Sequence, residues 1–542
     1  MRAVVIGTGF GGLGIAVRLL CKGYDVVMLE KRDRPGGRAY VYEQDGFVFD
    51  AGPTIITAPF LIEELFAHAG RRVEDYVQLF PIDPFYEIRF DDGDVFSYSG
   101  DPARMRDEVA RFSPDDVAGY ETFLERSREI FEKGFVELGH VPFLDPWSMV
   151  RIIPALIRLE CYRSVLGLVT RHLRSEKLRQ VFSFHPLLVG GDPRHAPAIY
   201  ALICFLERRW GVHFARGGMG AVVAGLARLI EELGGEIRLA TPATRIHVSD
   251  GRVRGVRTAA GEDLEADLVV SNGDLSWTYQ HLIAREHRPH NSDRKLQRMR
   301  YSMSLFLIYF GTRRLYPDLA HHTILLGSRY EGLLEDVFRR GRLAPDMSLY
   351  LHAPTRSDPS LAPPGHEAFY ALSPVPNLAA PIDWAQEKER YRDAIYDRLE
   401  STCVPGLRDH LVTERLFTPL DFRDELWSHL GAAFSFEPIL TQSAYFRGHN
   451  RCPDVQGLYF VGAGTHPGAG LPGVLSSARV TDSLIPSIDA SVSRQRPDGR
   501  ASAPAGEAAP PRRSDAARSS LDPLAGTPLA MRARKHVAGR SG

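Results

Sequence analysis

The sequence predicts an α/β fold in which a parallel sheet, assembled from separated stretches of chain, closes around an inserted α+β domain. Three observations carry that expectation. A short apolar strand at the N-terminus runs straight into a glycine-spaced turn and a helix. A second strand, glycine-rich loop and helix start stand near the other end, at Gly457–Val474. Between the two, hairpin signals and proline-broken helices replace the βαβ pattern, so the sheet pieces must be discontinuous. The 542 residues suffice for three or four domain-sized units. With 44% apolar and 25% charged residues, a small disulfide scaffold and a wholly disordered chain are both excluded.

The elements follow in order. Ala3–Ile6 reads as a strand, Gly12–Lys22 as a helix and Val26–Glu30 as a second strand. Glu87–Phe90 and Val95–Tyr98 flank the turn Asp91-Asp92-Gly93 as a hairpin. Ser113-Pro114 opens a helix to about Leu138, with the Ser113 hydroxyl expected as its cap. Proline-interrupted helix runs from Trp147 to about Leu206, and Gly217–Ile246 returns to helix and strand. A hairpin over 245–258 turns at Asp250-Gly251, and Asp267–Ser271 is another strand. From Tyr301 to Phe310 both faces of a strand are apolar: Tyr301, Met303, Leu305, Leu307 and Tyr309 on one, Phe306, Ile308 and Phe310 on the other.

Gly7, Gly9 and Gly12 stand in G-x-G-x-x-G spacing directly after the first strand, with Phe10 and Gly11 between the last two. Gly7 permits the tight turn, Gly9 lets backbone approach a pyrophosphate, and Gly12 lets helix pack on strand. The helix then offers its unpaired N–H groups and partial positive charge to phosphate. Glu30 closes the second strand where a carboxylate bonds adenosine ribose hydroxyls. Together these predict a Rossmann-like dinucleotide site.

The next loop, Lys31 to Arg38 with Gly36-Gly37-Arg38, resembles the second contact motif of FAD-binding oxidoreductases of the amine-oxidase and desaturase superfamily. The run Gly462-Ala463-Gly464-Thr465-His466-Pro467-Gly468, continuing to Gly473-Val474, is similar nearly position by position to the signature of bacterial-type phytoene desaturases and related carotenoid dehydrogenases. Asp50-Ala51-Gly52-Pro53-Thr54, Tyr301–Gly311 and Leu349–Gly365 carry the same resemblance, which spans about residues 1–486. A helix start aimed at a flavin would stabilise negative charge on its reduced ring.

The resemblance implies FAD as cofactor and an acyclic C40 carotene such as phytoene as substrate, taken from a membrane. Hydride would leave an allylic carbon for flavin N5 while a proton leaves the neighbouring carbon, with oxygen or a quinone as acceptor. It implies cofactor contacts from Gly7, Gly9, Phe10, Gly11, Gly12, Glu30, Lys31, Gly36, Gly37, Arg38, Pro53, Thr54, Gly462, Ala463, Gly464, Thr465, Gly473 and Val474. His466 is the candidate proton acceptor; Glu207, Arg208, Arg209 and Asp50 are charged candidates without a geometry. The expected division is an FAD-binding domain over 1–75, 211–285 and 441–486, and a substrate-binding domain over 76–118 and 286–440. A helical membrane-associated part covers 119–210, and a disordered basic tail 487–542. A later carotenoid desaturase, a ketolase, a polyene isomerase, or a lipid-binding protein on the same fold stay open as alternatives.

Charge and composition bound the partners. Lys and Arg (66) nearly cancel Asp and Glu (67), which argues against nucleic acid. Five scattered cysteines fit a reduced compartment, and no metal-binding pattern is visible. The apolar start Ala3–Val17 has no small-residue cleavage site after it, so it reads as fold and not as a signal peptide. The uncharged run Val455–Ala478 is too rich in Gly and Pro to span a membrane. Between Trp147 and Phe182, seven basic and two acidic residues alternate with Ile, Leu and Val, as in a helix lying in an anionic interface. The expectation is a cytoplasmic enzyme peripheral to the inner face of the cell membrane.

Overall fold

A computed structural model describes residues 1–488; apart from Ser487 and Ile488, the expected tail lies outside them. Five parallel strands form one sheet in the order Leu458–Phe460, Leu268–Ser271, Arg2–Ile6, Asp25–Leu29 and Glu236–Arg238. Helices cover these strands, so their residues are almost continuously apolar and buried, Val4, Val5, Val26 and Val270 among them. Parallel strands end on the same edge, which brings together the loops after Ile6, Leu29 and Ser271.

The helix after the first strand runs Phe10–Cys21, two residues earlier than its glycine spacing suggested, and the second strand stops at Leu29. Glu30 is thus the first residue of the loop. The helix Leu471–Ser483 packs on Phe10–Cys21 at small side chains: a Cβ at Gly14 would touch the Ala478 Cβ at 3.3 Å. That contact carries the C-terminal glycine loop to the edge where the N-terminal one lies.

The second large sheet has seven strands in the order Leu411–Phe417, Ser304–Thr312, Glu367–Val375, Leu349–His352, His322–Leu325, Tyr86–Arg89 and Val95–Tyr98. Its core strand starts at Ser304, not at Tyr301. The Tyr301 hydroxyl donates to the Leu296 carbonyl at 3.0 Å, and its backbone makes only a single bridge to Phe436. From Ser304 the expected alternation holds. Phe306, Ile308 and Phe310 pack with Trp384, Ile395 and Leu399 of the helix Trp384–Thr402, while Leu305 and Leu307 face the other way.

Helices between Pro102 and Trp210 cover this sheet at its Tyr86–Tyr98 end. The Ser113 hydroxyl does not cap the helix start there. The nearby Asp116 carboxylate instead accepts from the backbone N–H of Arg174 (2.8 Å) and Ser175 (2.7 Å), tying two helical stretches together. Of the stretch expected to be membrane-associated, the helix Pro146–Arg158 has no fully buried residue. The next two, Val165–His172 and Glu176–Ser183, bury Leu168, Val169, Leu178, Val181 and Phe182. Arg171 pairs with Glu160, and Lys177 with Asp92 and Asp94, so these cations serve the fold.

Candidate functional site

One cavity of about 590 Å³ runs between the parallel sheet's loop edge and the seven-stranded sheet. At one end it is lined by Gly7–Gly11, Glu30–Arg32, Gly36–Arg38, Asn272–Asp274 and Gly462-Ala463. At the other, Met303, Leu305 and Leu307 face Leu187, Leu188, Ile199 and Ile203, and Met149, Ile152 and Leu156 of the exposed helix close the wall.

The polar end fits a dinucleotide. Two helices open on it, Phe10–Cys21 and Leu471–Ser483, preceded by Gly9 and Gly470. Neither has a capping side chain or an acidic residue in its first turn, so the N–H groups of both openings stay available to an anionic ligand. The floor between them is bare backbone: a Cβ at Gly9 would stand 2.9 Å from Asn272 Nδ2, and one at Gly11 2.5 Å from Asn272 Oδ1. Gly7 turns at φ +89° and lets the helix return so closely that a Cβ on Gly12 would lie 2.1 Å from the Gly7 oxygen.

Charged groups around this end are held in place. Glu30 Oε2 accepts from the Thr8 N–H (2.9 Å) and hydroxyl (2.5 Å), and Oε1 from the Arg32 N–H (3.0 Å). Such a carboxylate keeps acceptor capacity for ligand hydroxyls. Lys31 lies over the Trp427 ring at 4.0 Å, and burial pulls its ammonium down to about 8. Arg38 Nε donates to the Ala433 carbonyl (2.9 Å) and its Nη2 to Ser428 Oγ (2.7 Å). Asp274 caps the short turn after it by accepting from the Trp277 N–H at 3.0 Å; its Oδ2 is buried with no partner.

Most residues singled out in the sequence meet at this cavity: Gly7, Gly9, Phe10, Gly11, Glu30, Lys31, Gly36, Gly37, Arg38, Pro53, Thr54, Gly462, Ala463, His466, Gly473 and Val474 all line it. Gly12, Gly464 and Thr465 do not. Gly12 faces the Gly7 turn, Gly464 backs onto Leu275, and the Thr465 hydroxyl donates to the Gly462 carbonyl at 2.9 Å. These three shape the loops from behind. Asn272 and Asp274 were missed; their only signal is a polar Ser-Asn-Gly-Asp run at the end of an apolar strand.

His466 is buried beside the Phe143 ring (4.8 Å), with neither ring nitrogen in a well-formed hydrogen bond. Burial pushes its imidazole down to about 4, so it is neutral near pH 7. Glu207 also reaches the wall, but both its oxygens are committed: Tyr86 donates at 2.6 Å, and His185 Nε2 lies at 3.1 Å. Burial opposes charge on His185, yet Cys204 and Glu207 outweigh it and push that imidazole up to about 10. Asp50 is not at the wall. Its carboxylate accepts from the N–H groups of Met219 (2.8 Å) and Gly220 (3.2 Å) at the start of the helix Gly218–Glu232.

Outside the cavity, the helix Pro146–Arg158 turns Trp147 (71% exposed), Val150, Ile153 and Ile157 to solvent, and the turn that carries the exposed Phe446 packs beside it. Among the described residues, no helix is long and apolar enough to cross a membrane.

Comparison with known proteins gives the same picture. Residues 10–481 match the family described as flavin containing amine oxidoreductase. The chain is 51% identical over 487 residues to a lycopene-forming phytoene desaturase of Pseudescherichia vulneris, covering 89% of this chain and 99% of that one. It is 44% identical over 491 residues to a neurosporene-forming phytoene desaturase of Rhodobacter capsulatus, covering 90% and 94%. The crystal structure of an oxidoreductase from Methanosarcina mazei superposes with a TM-score of 0.60 at 17% identity, covering 88% and 99% of the two chains, a likeness of fold.

Proposed function

This chain belongs to the flavin-containing amine oxidoreductase family and, within it, to the phytoene desaturases, and from that premise we propose how its cavity desaturates phytoene to lycopene or neurosporene. The protein is an FAD-dependent oxidoreductase acting on CH–CH bonds of a carotene. FAD, when bound, supplies the two-electron oxidant that takes hydride from an allylic carbon.

The chain's own residues do the rest. Gly9, Gly11 and the two uncapped helix openings would hold the pyrophosphate and favour negative charge on the reduced ring. Glu30 would accept from ribose hydroxyls, and Lys31 and Arg38 would help hold the bound group at this end. Leu305, Leu307, Ile199 and Ile203 hold a hydrocarbon that offers no polar handle and exclude water from it. A free ring nitrogen of His466 takes the proton from the neighbouring carbon. Glu207 is the poorer acceptor, because its charge is already paired with His185.

Substrate enters beside the helix Pro146–Arg158. One face of that helix lines the cavity with Met149, Ile152 and Leu156, while the other presents Trp147, Ile153 and Ile157 outward. A helix apolar on both sides, with Arg151 and Arg158 exposed at its flanks, is suited to lie in a lipid surface and pass a carotene inward. Oxygen or a membrane quinone is the electron acceptor in this reading.

The observation that carries the proposal is the convergence of two uncapped helix openings on the polar end of one otherwise apolar cavity. Incubation of FAD-loaded protein with phytoene-bearing liposomes tests it. The extracted pigment should absorb at longer wavelength than phytoene, since each added double bond lengthens the chromophore. Unchanged phytoene with flavin bound would overturn it. Conversion only of a later carotene would favour a sibling desaturase, ketolase or isomerase.

A further inference from the structure

Three histidines that belong to none of the glycine motifs meet at the middle of the seven-stranded sheet. His322 and His352 are directly opposed residues of the antiparallel strands His322–Leu325 and Leu349–His352. His321 is brought over them, its carbonyl accepting from the Ala353 N–H at 2.9 Å. All three are buried, at 6%, 0% and 1% exposure, and one ring nitrogen from each lies within 4.8 Å of the other two.

Two of the outer nitrogens have hydroxyl partners. His321 Nδ1 lies 2.7 Å from Ser357 Oγ, and His322 Nδ1 2.7 Å from the Tyr350 hydroxyl. These hydroxyls hold the two rings in place, and where each accepts from Nδ1–H the ring turns an Nε2 lone pair inward, the arrangement of metal-bound histidine. On the inner side, Nε2 of His321 and of His352 are 2.9 Å apart. Two nitrogens each about 2.0–2.1 Å from a tetrahedral ion stand about 3.3–3.4 Å apart, so this pair needs to open by only about 0.5 Å to share one. His322 Nε2 is buried with no hydrogen-bond partner. One shared proton satisfies the first two rings and leaves the third unmet, whereas a cation satisfies all three.

We propose that His321, His322 and His352 form a structural site for a divalent transition-metal cation of the zinc class. Neutral imidazole donors suit zinc, cobalt, nickel or copper and not magnesium or calcium. Burial keeps the rings neutral, holding His321 down at about 3 and the other two well below the usual histidine range. The ion clips two strands to the preceding loop. Through His322 and Tyr350, whose hydroxyl also meets Thr54 Oγ1 at 2.7 Å, it fixes a stretch of cavity wall.

The test uses flavin-loaded protein stripped with a chelator, then given zinc or cobalt(II) and passed through a desalting column. The expected result is about one retained metal per chain, the low-coordinate d–d spectrum of cobalt bound by nitrogen, and a higher unfolding temperature with metal. His322→Gln and His352→Gln should lower metal affinity roughly 10–100-fold or more while bound flavin is retained. Retention below about a tenth of an equivalent in the unmutated protein overturns the site. So does equal retention in both variants. The cobalt spectrum of the unmutated protein decides the matter by itself where a variant does not fold, since an octahedral, water-like spectrum also overturns it.

Discussion

A Cβ on Gly11 would stand 3.1 Å from the backbone nitrogen of Gly462 and 3.2 Å from its Cα, so residues about 450 positions apart share one floor. The Asn272 side chain, also in the way at 2.5 Å, can swing aside; the Gly462 backbone cannot. Gly11→Val should therefore push the two glycine loops apart at a cost of about 1–3 kcal/mol. The expected outcome is protein with unchanged far-UV circular dichroism and little bound flavin. Flavin absorbance per chain after gel filtration checks it.

Leu307 projects from the sheet into the cavity, while its neighbours Phe306 and Ile308 pack on the other side. Leu307→Phe adds its bulk on the cavity side and leaves the cluster around Phe306, Ile308 and Phe310 on the other face untouched. Products should shift toward carotenes with fewer conjugated double bonds, at unchanged flavin content. Chromatography of the pigments formed from phytoene reads the shift.

Trp147, Ile153 and Ile157 are 71%, 44% and 59% exposed and none is in the buried core, so replacing them removes little internal packing. If each gives up about 1 kcal/mol of partial burial in lipid, the triple change to Ser weakens liposome binding roughly 100-fold. Co-sedimentation with anionic vesicles should show that loss, with the unfolding temperature unmoved. Binding as strong as before would refute the membrane role of this helix.

His466, neutral and buried, is the proposed proton acceptor. Its imidazole is held down at about 4 by burial, so the competent neutral form is present above that pH and lost as pH falls through it. His466→Asn should slow anaerobic flavin reduction by phytoene about 100-fold or more, with flavin still bound. Stopped-flow absorbance measures the step. An unchanged rate would move the role elsewhere on the wall.

Asp50 gives a pH signature of stability. Burial raises its carboxyl from 3.8 to about 6, although two backbone N–H groups favour the charged form. A raised pKa means that the folded state holds the proton more tightly. Its contribution is full below pH about 4 and is lost as pH rises through about 6, a swing of roughly 3 kcal/mol. Urea unfolding across that window should show stability falling relative to Asp50→Asn, in which no such titration exists.

Much of the cofactor end was legible in the sequence because its requirements are local. A tight turn needs Gly7, a helix packed against that turn needs Gly12, and a strand that ends in an acid puts Glu30 one residue beyond Leu29. Spacing encodes such constraints directly. The limits of the same reading are also physical. Gly464 and Thr465 sit in the right loop but face its inside, since only every few residues of a loop can point at a ligand. The basic, apolar stretch from Trp147 to Phe182 looked uniform, yet only its first helix is exposed, because the next two have a core to join.

By itself the sequence determined the parallel-sheet class, the glycine loops and the alternation that sends Leu305 and Leu307 one way and Phe306, Ile308 and Phe310 the other. Periodicity and backbone sterics act between near neighbours, and near neighbours are visible in a string of letters. Only the tertiary structure decided that Asn272 bridges Gly9, Gly11 and Gly462, that Glu207 is spent on His185, and that His321, His322 and His352 meet. Those facts depend on packing between strands and helices distant in the chain, and such contacts leave no fixed spacing to read.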